Sequence, residues 1–216
     1  MNVRIAQPHV RHGDPHVTSD DPSRLSIHAC LYGALVRRAP GGQFRSGLAT
    51  KWHLSHDARR WDFEIGSARF HDGIALTAEH VADSLRRVRD EVIEGELGTS
   101  GVIKSYLADS QIESRGSTLS VVTAQPLADL LDLLVDLPIV RFSGGHPVGT
   151  GPYRMMDSAE GRVALGQSKN PDLPARIDFL GISDPDERAN ADVDIAADVV
   201  PGVAGEVRAA TTVCTT

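Results

Sequence analysis

The sequence predicts an α/β fold, in which the short strands of a mixed sheet alternate with flanking helices and a smaller α+β part is carried alongside. Three observations lead there. Asn2 to Ala6 and Thr118 to Thr123 alternate with the two-residue period of a strand. Val81, Leu85 and Val88 repeat at helical spacing. The 216 residues, 41% hydrophobic and 24% charged, are enough to bury a core.

Taken in order, Asn2 to Ala6 is the first strand, followed by a loop rich in Pro, His, Gly and Asp from Gln7 to Ser23. Leu25 to Arg38 reads as a helix with Ile27, Leu31 and Leu35 on one face, ended by Pro40, Gly41 and Gly42. Trp52 to Leu54 and Trp61 to Ile65 read as two strands around a polar turn, with both tryptophans packed onto the following helix. That helix starts behind Thr77 as N-cap, with Glu79 in its first turn where the helix dipole favours an acid. The preceding His71-Asp72-Gly73 is a tight turn in which Gly73 takes positive φ and Asp72 bonds nearby amides. Leu127 to Leu137 reads as a buried helix behind Pro126. Tyr153 to Met156, Val163 to Gln167, Ile177 to Ile182 and Val193 to Ala196 are the remaining strands.

Composition narrows the classes. The formal charge of -7 comes from mixed signs, and no basic stripe or zinc-finger spacing argues for nucleic acid. No window approaches eighteen consecutive apolar residues, so no transmembrane helix is expected. The N-terminal residues lack an apolar export segment, which places the protein in the cytoplasm as written, or in the periplasm or outside the cell if a signal has been removed. Cys30 and Cys214 lie far apart in sequence, and that spacing favours two unpaired thiols over a single bridge. No G-x-S-x-G, Walker A, H-E-x-x-H or C-x-x-C occurs, so the reading leans away from an enzyme.

Four segments resemble one family. They are RFHDGIALTAEHVADSLRR (Arg69 to Arg87), GTGPYR (Gly149 to Arg154), the run from Leu31 to Gly66 with its Gly-Leu-Ala-x-x-Trp element, and NPDLPARID…VDIAADV (Asn170 to Val199). In this order they resemble the N-terminal lobe of the family 5 extracellular solute-binding proteins, which deliver peptides and nickel complexes to ABC importers. The resemblance implies a type II periplasmic-binding-protein-like lobe, with residues 1–45 and 145–216 as the main part and 46–144 as a small inserted subdomain. Family members are longer and close two lobes around the ligand. The expectation is therefore a chain reduced to one lobe, with the segment after Val199 a remnant of the crossing into the second.

Candidate site residues follow from the loops at the carboxyl ends of the strands, where α/β folds meet ligands. His9, His12 and His16 form a His-x2-His-x3-His arrangement that can place imidazoles on one divalent ion, nickel or zinc, with Asp14 as the nearby acid; a plain solvated loop is the other reading. The resemblance assigns Arg141 to a ligand carboxylate, a task that suits a planar guanidinium, although an ordinary salt bridge fits the residue as well. Gly149, Thr150 and Tyr153 of the GTGPY turn, with His28 and Tyr32, complete the candidate ligand-binding set. For His28 and Tyr32 a packing role is the plainer alternative.

The leading reading is a ligand binder for a small molecule, short peptide or metal chelate, paired as a homodimer to complete the site, with an ABC permease as partner only if exported. A repurposed cytoplasmic enzyme or accessory protein on the same fold is the rival, and a degenerate fragment that binds nothing is the third reading.

Overall fold

The computed structural model describes residues 1–17, 21–91, 99–135, 137–167 and 170–199. In chain order its elements are β1 (Asn2–Gln7), α1 (Pro22–Leu31), β2 (Val36–Arg38), β3 (Phe44–Ser46), β4 (Ala49–Leu54), β5 (Arg60–Ile65), α2 (Ala78–Asp90) and α3 (Thr99–Leu107). They continue as β6 (Gln111–Arg115), β7 (Thr118–Val122), α4 (Leu130–Leu134), β8 (Arg141–Ser143), β9 (His146–Val148), β10 (Tyr153–Ala159), β11 (Arg162–Gln167), β12 (Arg176–Gly181), α5 (Pro185–Ala189) and β13 (Ile195–Ala196). Two compact units share the chain: Met1–His12, Asp21–Leu31 and Gly151–Thr216 form the first, and Gly13–Asp20 with Tyr32–Thr150 the second.

The first unit is built on a mixed five-stranded sheet in the order β10-β11-β12-β1-β13. β1 runs parallel to both β12 and β13, while β11 is antiparallel to β10 and β12. Val3, Ile5 and Gln7 of the inner strand β1 share one buried face, while on the other face Asn2 and Arg4 are exposed and Ala6 is buried. Val163, Leu165, Ile177 and Phe179 continue this core, and Ile27 and Leu31 of α1 are buried in the same unit. Beyond β12, Asp184 caps α5 by accepting the Glu187 N–H at 2.8 Å. The buried Arg188 guanidinium then donates to the carbonyls of Ile182, Ser183, Ala197 and Asp198. One cation thus fastens the residues following both β12 and β13.

The second unit holds an antiparallel sheet, β4-β5-β7-β6, against which α2 packs. Ala78, Val81, Ala82, Leu85 and Val88 form one buried stripe on α2, and they meet Phe63, Leu119, Val121, Ile103 and Leu107 in a common core. Thr77 is the N-cap as expected, but the box is closed by a histidine: Thr77 Oγ1 accepts from the His80 N–H while His80 Nδ1 accepts from the Thr77 N–H. Trp61 is buried, stacks on Phe63 and donates Nε1–H to the Leu127 carbonyl at 2.7 Å. Trp52, on the edge strand β4, is only partly buried, in place of the burial expected for both tryptophans.

Several element boundaries differ from the sequence expectation. The helix ends at Leu31 because the Gly33 carbonyl is taken by the Ile139 N–H at 2.8 Å, and Val36–Arg38 turns into a hairpin with β3. The helix expected over Leu127 to Leu137 shrinks to α4, since Leu127 gives its N–H to Ala58 and its carbonyl to Trp61. Units divide at Leu31/Tyr32 and Thr150/Gly151, whereas the sequence placed divisions near Arg45 and Gly144. Leu35 and Val36, fully buried in the second unit's core, and Val148, packed against it, account for the difference. Cys30 is buried and disulfide-bonded in place of the expected free thiol, and Cys214 lies outside the described residues. The reading of the segment after Val199 falls outside them too.

Candidate functional site

Within the second unit, the hairpin β8–β9 brings four of the expected residues into one neighbourhood. Arg141 opens β8 and pairs in register with Val148, so Gly149 and Thr150 emerge beside it. The carbonyl of Gly149 accepts the His71 N–H at 2.9 Å, which fastens the His71-Asp72-Gly73 turn to the same place. A β-carbon on Gly33 would approach Thr150 Oγ1 to 2.7 Å, so the backbone just after Tyr32 lies against Thr150. Tyr32 is itself buried, and burial, with the nearby Asp14 charge, pushes its hydroxyl well above the usual range. It stays a neutral phenol at any working pH.

Arg141 pairs with Asp72 through Nη2 and Oδ2, and its guanidinium lies 5.7 Å from the centre of the Phe70 ring. The Arg141 and Asp72 side chains keep 23% and 32% of their exposure, so water and small ions still reach the pair. Arg141 Nε is buried and has no hydrogen-bond partner among the described residues, and the same is true of Thr150 Oγ1. The guanidinium as a whole thus stays partly exposed beside the Asp72 carboxylate, and its reachable N–H groups are able to donate to an oxygen-rich ligand group.

The three histidines are not gathered. His9 Nε2 lies 3.1 Å from Asp21 Oδ2, and His12 Nε2 lies 2.8 Å from Ser158 Oγ, both in the first unit. His16 belongs to the second unit, is 1% exposed and uses both ring nitrogens. Among the described residues no group of three or more His, Cys, Asp or Glu is placed to hold a metal ion. The spacing of the imidazoles was compatible with a metal centre, but each imidazole has taken another partner. His28 and Tyr153 lie in the first unit, both buried, with the Tyr153 hydroxyl donating to the Pro174 carbonyl at 2.9 Å.

His16 instead belongs to a polar cluster that spacing alone did not reveal. Arg87 on α2 makes a two-pronged pair with Asp14, donates to His16 Nδ1 at 2.8 Å and stacks 4.5 Å from the centre of Phe142. A guanidinium only donates, so Nδ1 is the acceptor and Nε2 carries the proton given to the Pro138 carbonyl at 2.9 Å. Asp14 pays a burial penalty that favours its neutral form, but the Arg87 hydrogen bonds and charge outweigh it and hold the carboxyl below its ordinary value. Burial pushes His16 down to about 4, with the Arg87 charge adding to it against the opposing Pro138 bond and Asp14 charge.

A pH dependence follows. An unfolded histidine titrates near 6.5. Between that value and about 4 the unfolded chain binds a proton that native His16 does not, so stability falls as pH drops through this window and levels off below it. The expected loss from His16 is roughly 3 kcal/mol. His12, lowered by burial and by Arg24, acts in the same direction. Urea midpoints measured from pH 7.5 to 4 should show the slope, and His16→Gln should remove the larger part of it; an unaltered slope would contradict the assigned protonation state.

Similarity to known proteins agrees with this architecture. The sequence pattern of the bacterial extracellular solute-binding proteins, family 5 Middle, matches residues 43–205. The nickel-binding protein NikA of Staphylococcus aureus is 26% identical over 146 residues, 63% of this chain and 28% of that protein. Among solved structures, the periplasmic binding protein AgaA of A. tumefaciens R10, in complex with agropinic acid, superposes with a TM-score of 0.78 at 23% identity, over 90% of this chain and 43% of its own. DppA of Helicobacter pylori, in complex with the peptide STSA, gives 0.76 at 19% identity, over 88% and 44%. The fold is that of a lobe of the type II periplasmic binding proteins, and the chain spans less than half the length of these relatives. It belongs to the family 5 extracellular solute-binding proteins.

Proposed function

We propose that this chain forms one ligand-facing part of a solute-binding protein for a short peptide or a metal chelate, with Arg141 and Thr150 as its polar contacts. The observation that carries the reading is the partly exposed Arg141 guanidinium at the hairpin end, in a chain of this family. Nickel enters as cargo held by its own chelator, because the described residues supply no resident metal centre. Tight small-molecule sites enclose about 70 to 90% of the ligand, so a second body completes the enclosure. A second copy of the chain, related by a twofold axis, supplies one by the commonest symmetric route.

The family description supports a working place outside the cytoplasm. An ABC permease would be the downstream partner there.

Calorimetric titration with nickel–histidine and with a tetrapeptide tests the reading. At least one is expected to bind, and Arg141→Ala should weaken that binding about thirtyfold, the loss of a hydrogen bond to a charged group. Light scattering across a dilution series reports the pairing. Absence of binding to both probes, in monomer and dimer alike, would refute the proposal.

A further inference from the structure

The guanidinium offered to a ligand already has a carboxylate beside it, and that carboxylate is built in rather than incidental. Asp72 sits in a turn closed by Phe70 and Ile74, with the Phe70 N–H on the Ile74 carbonyl and the Gly73 N–H on the Phe70 carbonyl, both at 2.9 Å. Its Oδ1 accepts the Ile74 N–H at 3.2 Å, which leaves Oδ2 for Arg141. The turn is also tied through the His71 N–H to Gly149, the residue following the strand that faces Arg141. Neither partner is a freely swinging surface side chain: the acid is positioned by backbone bonds, and the cation rests over the Phe70 ring.

Resting on the ligand-binding reading above, we propose that Asp72 is a specificity-determining residue that sets which ligand charge Arg141 accepts. With Oδ2 in place, the positive charge of Arg141 is compensated from within the chain. A ligand carboxylate must displace Asp72 or approach the exposed part of the guanidinium with a like charge alongside, and either route weakens it. An uncharged acceptor, such as a peptide carbonyl, takes an exposed guanidinium N–H without that repulsion. The half-site as built therefore favours neutral oxygen acceptors over free carboxylates.

The test compares the wild-type chain with Asp72→Asn, which keeps an oxygen for the Ile74 N–H and removes the charge. The probes are nickel–histidine, which carries carboxylates, and an N-acetylated tetra-alanine amide, which carries none. Asp72→Asn should tighten nickel–histidine binding about tenfold and leave the amide within twofold. Labelling of Arg141 by phenylglyoxal, followed by peptide mass analysis, gives a readout that needs no ligand and should accelerate at least threefold in the variant. Unchanged labelling together with unchanged affinities would reduce Asp72 to a turn residue and overturn the inference. If Arg141→Ala weakens wild-type binding while Asp72→Asn changes nothing, the inference falls and the ligand-binding reading stands. If no probe binds either protein, both fall together.

Discussion

Phe63→Ala is expected to destabilise the second unit by about 3 to 5 kcal/mol. The ring is fully buried in the centre of the four-stranded sheet, between Trp52 on β4 and Leu119 on β7 in register, and Trp61 stacks on it at 5.9 Å. Its removal deletes apolar contact and opens a cavity that strands hydrogen-bonded on both sides cannot close. A loss of that size is a large share of a domain's total stability. Urea denaturation followed by tryptophan fluorescence reads the effect directly, since Trp61 lies against the lost ring. A midpoint within experimental error of wild type would mean that Phe63 does not occupy the core position described.

Gly151→Ala is the second large effect, by a different mechanism. A β-carbon there would stand 2.4 Å from the Cys30 carbonyl oxygen and 2.5 Å from the Leu31 carbonyl carbon, both backbone atoms that cannot rotate aside. The Gly151 N–H bonds the Leu31 carbonyl at 2.9 Å, so the approach is also the place where the end of α1 is fastened. Overpacking of this kind costs about 1 to 3 kcal/mol, and an obstruction made of backbone belongs at the upper end. Gly145→Ala provides the contrast: nothing lies within 4 Å of its would-be β-carbon, so its cost is limited to backbone strain at a φ of 80°. Equal denaturation midpoints for Gly151→Ala and wild type would rule out the close approach.

The contrast between those glycines shows what the sequence could disclose. GTGPY announced a place where backbone comes close, and the structure puts the close approach at Gly151. Periodicity found α2 and most strands, because Val81, Leu85 and Val88 on the helix and Trp61, Phe63 and Ile65 on the strand are buried on one side only. It missed β6, where Ile112 alone of five residues is buried and no alternation can register. It overran α1 because Leu35 keeps the helical spacing while belonging to another unit's core.

For the site, the turn chemistry of Asp72 was legible, as was the interest of Arg141. Their pairing was not, since it joins residues far apart in sequence. The histidines misled for the same reason: spacing within a loop says nothing of Arg87 or Ser158, which claim His16 and His12 from elsewhere in the chain. Nothing in the sequence singles out Arg188, and only the fold reveals the four carbonyls around it.

The strand order has a consequence for how the molecule is made. Of the described segments β1 is synthesised first, yet its two neighbours, β12 and β13, are among the last to appear. Nearly the whole of the second unit, residues 32–150, is synthesised in between as one continuous run with mostly local pairings. Short-range pairings close fastest. The second unit can therefore collapse while the nascent strand Asn2–Gln7, whose Val3, Ile5 and Ala6 are buried in the finished sheet, waits for Arg176–Gly181 to arrive. During that interval both edges of β1 are unpaired, so the segment is open to pairing with the wrong strand.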